Sequence, residues 1–161
     1  GVDLALRAMD ALPGGTRWRL HVAGEAWAGL GESLQKLHAT LAHPDRVSFE
    51  TAWVSDRRLA ELLVAADVMV LPYRSGSQSA MAPLALATGT PVLTTDVGGL
   101  AEAVADGRDG RVIQPGSSSA IAEALGAMDD DVLAALAEGA RTTAQRRTWS
   151  AYAEVLLDLV P

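Results

Sequence analysis

The chain has 161 residues, 49% of them hydrophobic and 20% charged, enough to bury one substantial core and little more than one domain. Thirteen Lys+Arg against twenty Asp+Glu leave a net charge of −7, the wrong sign for gripping nucleic-acid phosphates or an anionic membrane surface. Cysteine is absent, which removes disulfide frameworks, thiolate zinc sites and cysteine nucleophiles together and leaves the redox compartment undetermined, with a cytoplasmic location as the default expectation; no apolar run approaches the roughly 18 to 20 residues that span a bilayer.

Val2, Ala5, Leu6, Met9 and Leu12 recur at helical spacing until Pro13-Gly14-Gly15 stops them, and the apolar-rich Trp18 to Ala23 reads as a strand. Leu30, Leu34, Leu37 and Leu41 form a second helical stripe, broken by His43-Pro44-Asp45 ahead of a strand at Val47 to Phe49. Ser55 is placed to cap a helix carrying Leu59, Leu62, Leu63 and Ala66, and Val68 to Leu71 follows as a continuous apolar strand. Ala80 to Ala87 reads as a helix with Pro83 in its first turn and Gly89 closing it, before a strand at Val92 to Thr95. Beyond Gly98-Gly99 come a short helix from Leu100 to Ala105, a turn at Asp106 to Gly110 and a strand at Arg111 to Ile113. A helix capped by Ser117 to Ser119 and two more, Val132 to about Arg146 and Ser150 to Leu159, complete the pattern. Such alternation predicts a Rossmann-like three-layer α/β domain with a mostly parallel sheet. Because Gly1 opens directly into a helix, a first strand is expected upstream, and residues 1–161 are expected to be one domain of a longer polypeptide.

Open parallel sheets bind ligands beyond the carboxyl ends of their strands, which singles out Gly24 to Trp27, Glu50 to Ser55, Pro72 to Ser79 and Asp96 to Gly99. Ser75-Gly76-Ser77-Gln78-Ser79 precedes a helix whose free amides could hold a phosphate, with Arg74 adding a charged fork. The same residues also suit a polar capping loop in which Arg74 pairs with a surface acid. Gly98-Gly99 before a helix is a second candidate anion loop, but the dinucleotide fingerprint GxGxxG is missing there and at Gly24, and taken alone the pair reads better as an ordinary tight turn. Asp129-Asp130-Asp131 reads as a helix start, not a metal cluster. His21, His38 and His43 share no zinc or triad spacing, and Trp27 and Trp53 suit either base stacking or packing. No residue in the pattern calls for a metal or another cofactor.

Taken in order, Ala65-Ala66-Asp67-Val68 through Leu71-Pro72, Gly89-Thr90-Pro91-Val92, Asp96-Val97-Gly98-Gly99-Leu100 with Glu102, and Asp106-Gly107 through Gly110 resemble the nucleotide-sugar-binding half of family 4 (group 1) glycosyltransferases. The resemblance runs from about Gly1 to Leu125. It implies the second Rossmann-like domain of a GT-B fold, with the acceptor held mainly by a first domain that lies upstream and the C-terminal helices, residues 130–161, packing back toward that domain. It further implies that the loops holding Glu25 and Val54 lie near the donor's ribose and base, and that Arg74, Gly76, Ser77, Gln78 and Ser79 face its diphosphate or sugar.

Two departures qualify what the resemblance implies. The family usually carries two glutamates eight positions apart on the donor's sugar and ribose; alignment on Gly89-Thr90-Pro91-Val92 puts them at Gly76 and Leu84, neither of which supplies a carboxylate. The family's diphosphate-binding Arg and Lys would lie upstream of Gly1, so the isolated domain is expected to be inactive. Pro72-Tyr73-Arg74-Ser75 with Gln78-Ser79 resembles a subgroup whose loop is rich in Ser and Gln instead of the first glutamate. The expected parent is a retaining transferase moving a sugar from a nucleoside diphosphate sugar to a glycan, lipid or small-molecule acceptor, with membrane association of the parent left open. The rival expectation is a non-catalytic binding or scaffold module with a degenerate donor site. A Rossmann domain for a dinucleotide or a methyl donor lacks its glycine fingerprint.

Overall fold

A computed structural model of the chain describes residues 1–27 and 29–158. The order is α1 Val2–Ala11, β1 Leu20–Ala23, α2 Leu30–Ala39, β2 Val47–Glu50, α3 Asp56–Ala65, β3 Met69–Leu71, α4 Met81–Ala87, β4 Val92–Thr95, β5 Gly110–Ile113, α5 Ser118–Gly126, α6 Asp130–Arg146 and α7 Trp149–Asp158. Helix starts follow short side-chain oxygens: Ser55 accepts from the Arg58 amide, Ser117 from Ala120 and Asp129 from Val132, each satisfying a donor that the first turn leaves free. Asp129 thus starts α6 as the sequence suggested, and Asp130 of the same run pairs with Arg17. The segment expected as a helix from Leu100 to Ala105 is instead a single 3-10 turn, Ala101–Ala103. Buried Leu100 and Val104 pin its two ends, and the Ala105 amide donates to the Asp109 carboxylate at 2.7 Å, which leaves no room for a longer helix. The end expected for the last helix at Leu159 lies outside the described residues.

All strand pairing is parallel, β1 with β2, β3 with β4 and β4 with β5. The expected single sheet is divided: β1-β2 forms one piece and β3-β4-β5 another. Gly1 lies against the Pro72 carbonyl just after β3. Helix α1 starts there and spans both pieces, packing Leu4, Leu6 and Met9 in one core with Leu20, Val22 and Val47 and with Val70 and Leu93.

Alternation along the strands builds the three layers. Val70 and Leu93 enter the core shared with α1, α2 and α5, whereas Met69, Leu71 and Val92 enter a second core with Leu63 of α3, Ala82, Ala85 and Leu86 of α4 and Ala140 of α6. Every residue of β4 is buried, as expected of a central strand covered on both faces. Helix α6 links the two cores, its Leu136 in the first and its Ala140 in the second, and Thr143 donates at 2.6 Å to the fully buried Asp109 carboxylate.

Candidate functional site

The carboxyl ends of β1, β2, β3 and β4 open into loops at residues 24–27, 51–55, 72–79 and 96–99. In the third loop Gly76, Ser77 and Gln78 are exposed and Ser79 is half-buried. Ser79 works within the fold: its Oγ accepts from the Met81 amide at 3.2 Å and lies 3.2 Å from the Tyr73 hydroxyl. Ser77 and Gln78 have no such internal hydroxyl or amide bonds among the described residues, which leaves their side chains free for a ligand. Arg74 is engaged elsewhere. Its guanidinium forks onto Asp3 of α1 at 2.6 and 3.0 Å, so the alternative of an acid partner describes its position. Burial works against ionisation of Asp3, and the hydrogen bonds and charge of Arg74 outweigh it, holding the carboxyl below the ordinary aspartate value.

The third and fourth loops are laced together. Thr95 donates its hydroxyl to the Tyr73 carbonyl at 2.7 Å, and the Gly99 amide donates to the Ser77 carbonyl at 2.6 Å. Gly98, with φ +50°, lies directly under the Gly76–Ser77 backbone. The sequence signal for this contact was only a Gly-Gly turn. Gly76 itself has ordinary backbone geometry and space around it, its nearest neighbour being Leu100 Cδ1, 3.8 Å from where a Cβ would stand. Leu84, the other position where a carboxylate is missing, is 44% exposed on α4.

Glu25 lies apart, in a groove of about 530 Å³ lined also by Trp27, Glu32, Gln35 and Thr51. Val54 is half-buried and does not line that groove. Trp27 and Trp53 are both largely exposed, 84% and 77%, so neither belongs to the core and both stand at the mouth of the loops. A group that spacing did not reveal braces the second loop: β1–β2 register puts Ser48 opposite His21, the His21 ring lies 2.9 Å from Ser48 Oγ and 3.4 Å from Glu50, and Arg58 forks onto Glu50 at 2.9 and 3.2 Å. The Arg58 hydrogen bonds, against a smaller cost of burial and with help from His21, hold the Glu50 carboxyl below its ordinary value. This ties β2 to α3 and fixes where the chain leaves toward Val54. Among the described residues no three His, Asp or Glu side chains gather as a metal site, and no helix is long and apolar enough to cross a membrane.

A doubly wound α/β domain whose small, polar loops converge at the carboxyl ends of parallel strands is the architecture of nucleotide-binding domains. The model of the glycosyl transferases group 1 family matches residues 1–131, and the chain belongs to that family. Among curated relatives, the D-inositol 3-phosphate glycosyltransferase of Xylanimonas cellulosilytica is 38% identical over 165 residues, covering 99% of this chain and 38% of that protein; the chain thus spans well under half the length of such relatives. Among solved structures, HepE of Anabaena in complex with UDP superposes with a TM-score of 0.85 at 22% identity, over 99% of this chain and 44% of that one. WaaG, a glycosyltransferase involved in lipopolysaccharide biosynthesis, gives 0.77 at 28% identity, over 99% and 43% respectively. The three-layer α/β fold expected from the alternation is therefore that of GT-B glycosyltransferase domains, as the family resemblance implied.

Proposed function

We propose that this chain is the donor-binding domain of a retaining glycosyltransferase that moves a sugar from a nucleoside diphosphate sugar to an acceptor. The observation that carries the reading is the pair of unengaged polar side chains, Ser77 and Gln78, exposed at the carboxyl end of β3 in a chain of this family. In the same fold HepE is in complex with UDP and with UDP-glucose. The Ser77 hydroxyl and the Gln78 amide offer hydrogen bonds to the donor's phosphates or sugar, Ser79 shapes the loop end, and Glu25 and Val54 approach from the ribose and base side. The rest of the parent supplies the acceptor domain and the cations for the departing diphosphate; helix α7 leads back toward that domain. Catalysis then rests on charge and positioning, with the leaving diphosphate stabilised as the acceptor hydroxyl is held in line.

A second reading, a scaffold with a degenerate donor site, draws support from Gly76 and Leu84, which offer no carboxylate, and from Arg74, whose charge is committed to Asp3. Titrating the chain with UDP, GDP and ADP and with their sugar conjugates separates the two. The donor reading expects selective binding of one nucleotide, at an affinity as weak as about millimolar in the domain alone. Absence of binding, repeated with the intact parent, rejects it in favour of the scaffold.

A further inference from the structure

We propose that Gly98 is a positioning residue for the donor loop: the absence of a side chain there lets the turn after β4 lie beneath the Gly76–Ser77 backbone and sets where Ser77 and Gln78 point. This rests on the donor-binding reading. A Cβ built on Gly98 would press into the Gly76 carbonyl oxygen and stand 2.8 Å from the Ser77 carbonyl oxygen. Both obstacles are backbone atoms, so no side-chain rotation relieves them; the loop itself must shift. The neighbouring Gly99 continues the contact, its amide bonded to the Ser77 carbonyl at 2.6 Å and its missing Cβ within 3.2 Å of Gln78 Cγ. Below them Leu100, 1% exposed, anchors the turn in the core, and the Thr95 hydroxyl holds the Tyr73 carbonyl at the other end of the loop.

An ordinary turn glycine needs only a positive φ. Gly107 is that case in the same molecule: φ is +73° and nothing lies within 4 Å of its missing Cβ. At Gly98 the close approach is an additional demand, and it falls on exposed residues that contribute nothing to the core. Fixing them serves the geometry of the surface they present. A displacement of about 1 Å in such groups is enough to weaken recognition severely.

The test compares the chain with its Gly98→Ala, Gly99→Ala and Gly107→Ala variants, reading UDP and UDP-glucose binding by NMR titration and amide exchange at Gly99. Gly107→Ala carries the same kind of φ penalty without the clash, so it controls for loss of stability. Gly98→Ala is expected to bind about tenfold or more weakly than Gly107→Ala at matched fractions folded, with faster exchange of the Gly99 amide, and Gly99→Ala to fall between them. Equal binding by Gly98→Ala and Gly107→Ala, with the Gly99 amide still protected, overturns the proposal. Should Gly98→Ala not fold, unchanged binding by Gly99→Ala overturns it instead. Failure of the unaltered chain, repeated with the intact parent, to bind any of UDP, GDP, ADP and their sugar conjugates removes the donor reading and this role with it, whereas binding that ignores the glycine changes removes this role alone.

Discussion

Arg74 forks onto the carboxylate of Asp3, 71 residues away, with Nη2 2.6 Å from Oδ2 and Nη1 3.0 Å from Oδ1. The pair fastens the loop after β3 to the first turn of α1. A partly exposed, bidentate pair of this kind contributes about 0.5–1 kcal/mol. Asp3→Asn and Arg74→Ala are each expected to lower the unfolding free energy by that order, with the double variant no worse than the worse single one, as a double-mutant cycle in urea would read. The folded-state pKa of Asp3 is lowered, so its contribution is fully present above the unfolded value, at about 4, and is lost as pH falls through the lower folded value. Acid titration of the Asp3→Asn variant should lose this part of the dependence; an unchanged acid limb refutes the coupling.

Gln78 and Ser79 are neighbours with different work. Ser79 caps the Met81 amide and meets the Tyr73 hydroxyl, so Ser79→Ala is expected to cost about 0.5–1 kcal/mol of stability. Gln78→Ala removes an exposed amide that nothing in the core needs, and surface changes of this sort stay within about 0.5 kcal/mol. Donor affinity should respond the other way round, falling more for Gln78→Ala than for Ser79→Ala. Thermal melting beside a nucleotide-sugar titration measures both. A large loss of melting temperature with unchanged binding in Gln78→Ala would remove Gln78 from the site.

What the sequence carried was local. Ser55, Ser117 and Asp129 cap the helices that their positions announce, because each signal needs only neighbours within a turn; burial was less local, since the apolar run at Val68 to Leu71 is only partly buried whereas Val92 to Thr95, half of it threonine, is the strand covered on both faces. The division of the strands into β1-β2 and β3-β4-β5 is not written in any one segment, since pairing joins residues far apart in the chain. Long-range contacts were equally hidden: Asp3 on Arg74, Glu50 between Arg58 and His21, Gly98 under Gly76. A lone arginine before a polar loop reads as an anion ligand until the fold supplies its acid. The loop at Ser77 and Gln78 was legible as a candidate, whereas the support beneath it became visible only once two loops were side by side.

Arg46 is 4% exposed and donates to the carbonyls of Met9, Leu12, Pro13 and Gly14 at 3.0 to 3.2 Å. Its guanidinium thus closes the C-terminal end of α1, where carbonyls lack partners and negative potential gathers. Removing it strands buried acceptors, at a cost of about 2–4 kcal/mol. Arg46→Lys should recover only part of this, because one ammonium lacks the planar fork that reaches several oxygens. Urea unfolding of the two variants should rank them below the unaltered chain in that order; equal stability of all three would mean that water serves those carbonyls as well.

Gly76 and Leu84 stand where the family's sugar and ribose carboxylates are expected, and the structure leaves room for both. Gly76 has no positive φ and 3.8 Å to its nearest neighbour, and Leu84 is 44% exposed. Gly76→Glu and Leu84→Glu are therefore expected to fold with stability changes of about 0.5 kcal/mol. If the Gly76 position faces the donor's sugar, an ionised acceptor there gains hydroxyl donors from the sugar but nothing from a bare diphosphate, which it repels weakly. Gly76→Glu should then raise the preference for UDP-glucose over UDP by about three- to tenfold, whereas Leu84→Glu, on the ribose side, should act on both ligands alike. Parallel titrations of the two variants read this directly. A Gly76→Glu chain whose ratio of affinities matches that of the unaltered chain would place the sugar elsewhere and leave the Ser77–Gln78 edge to the phosphates alone.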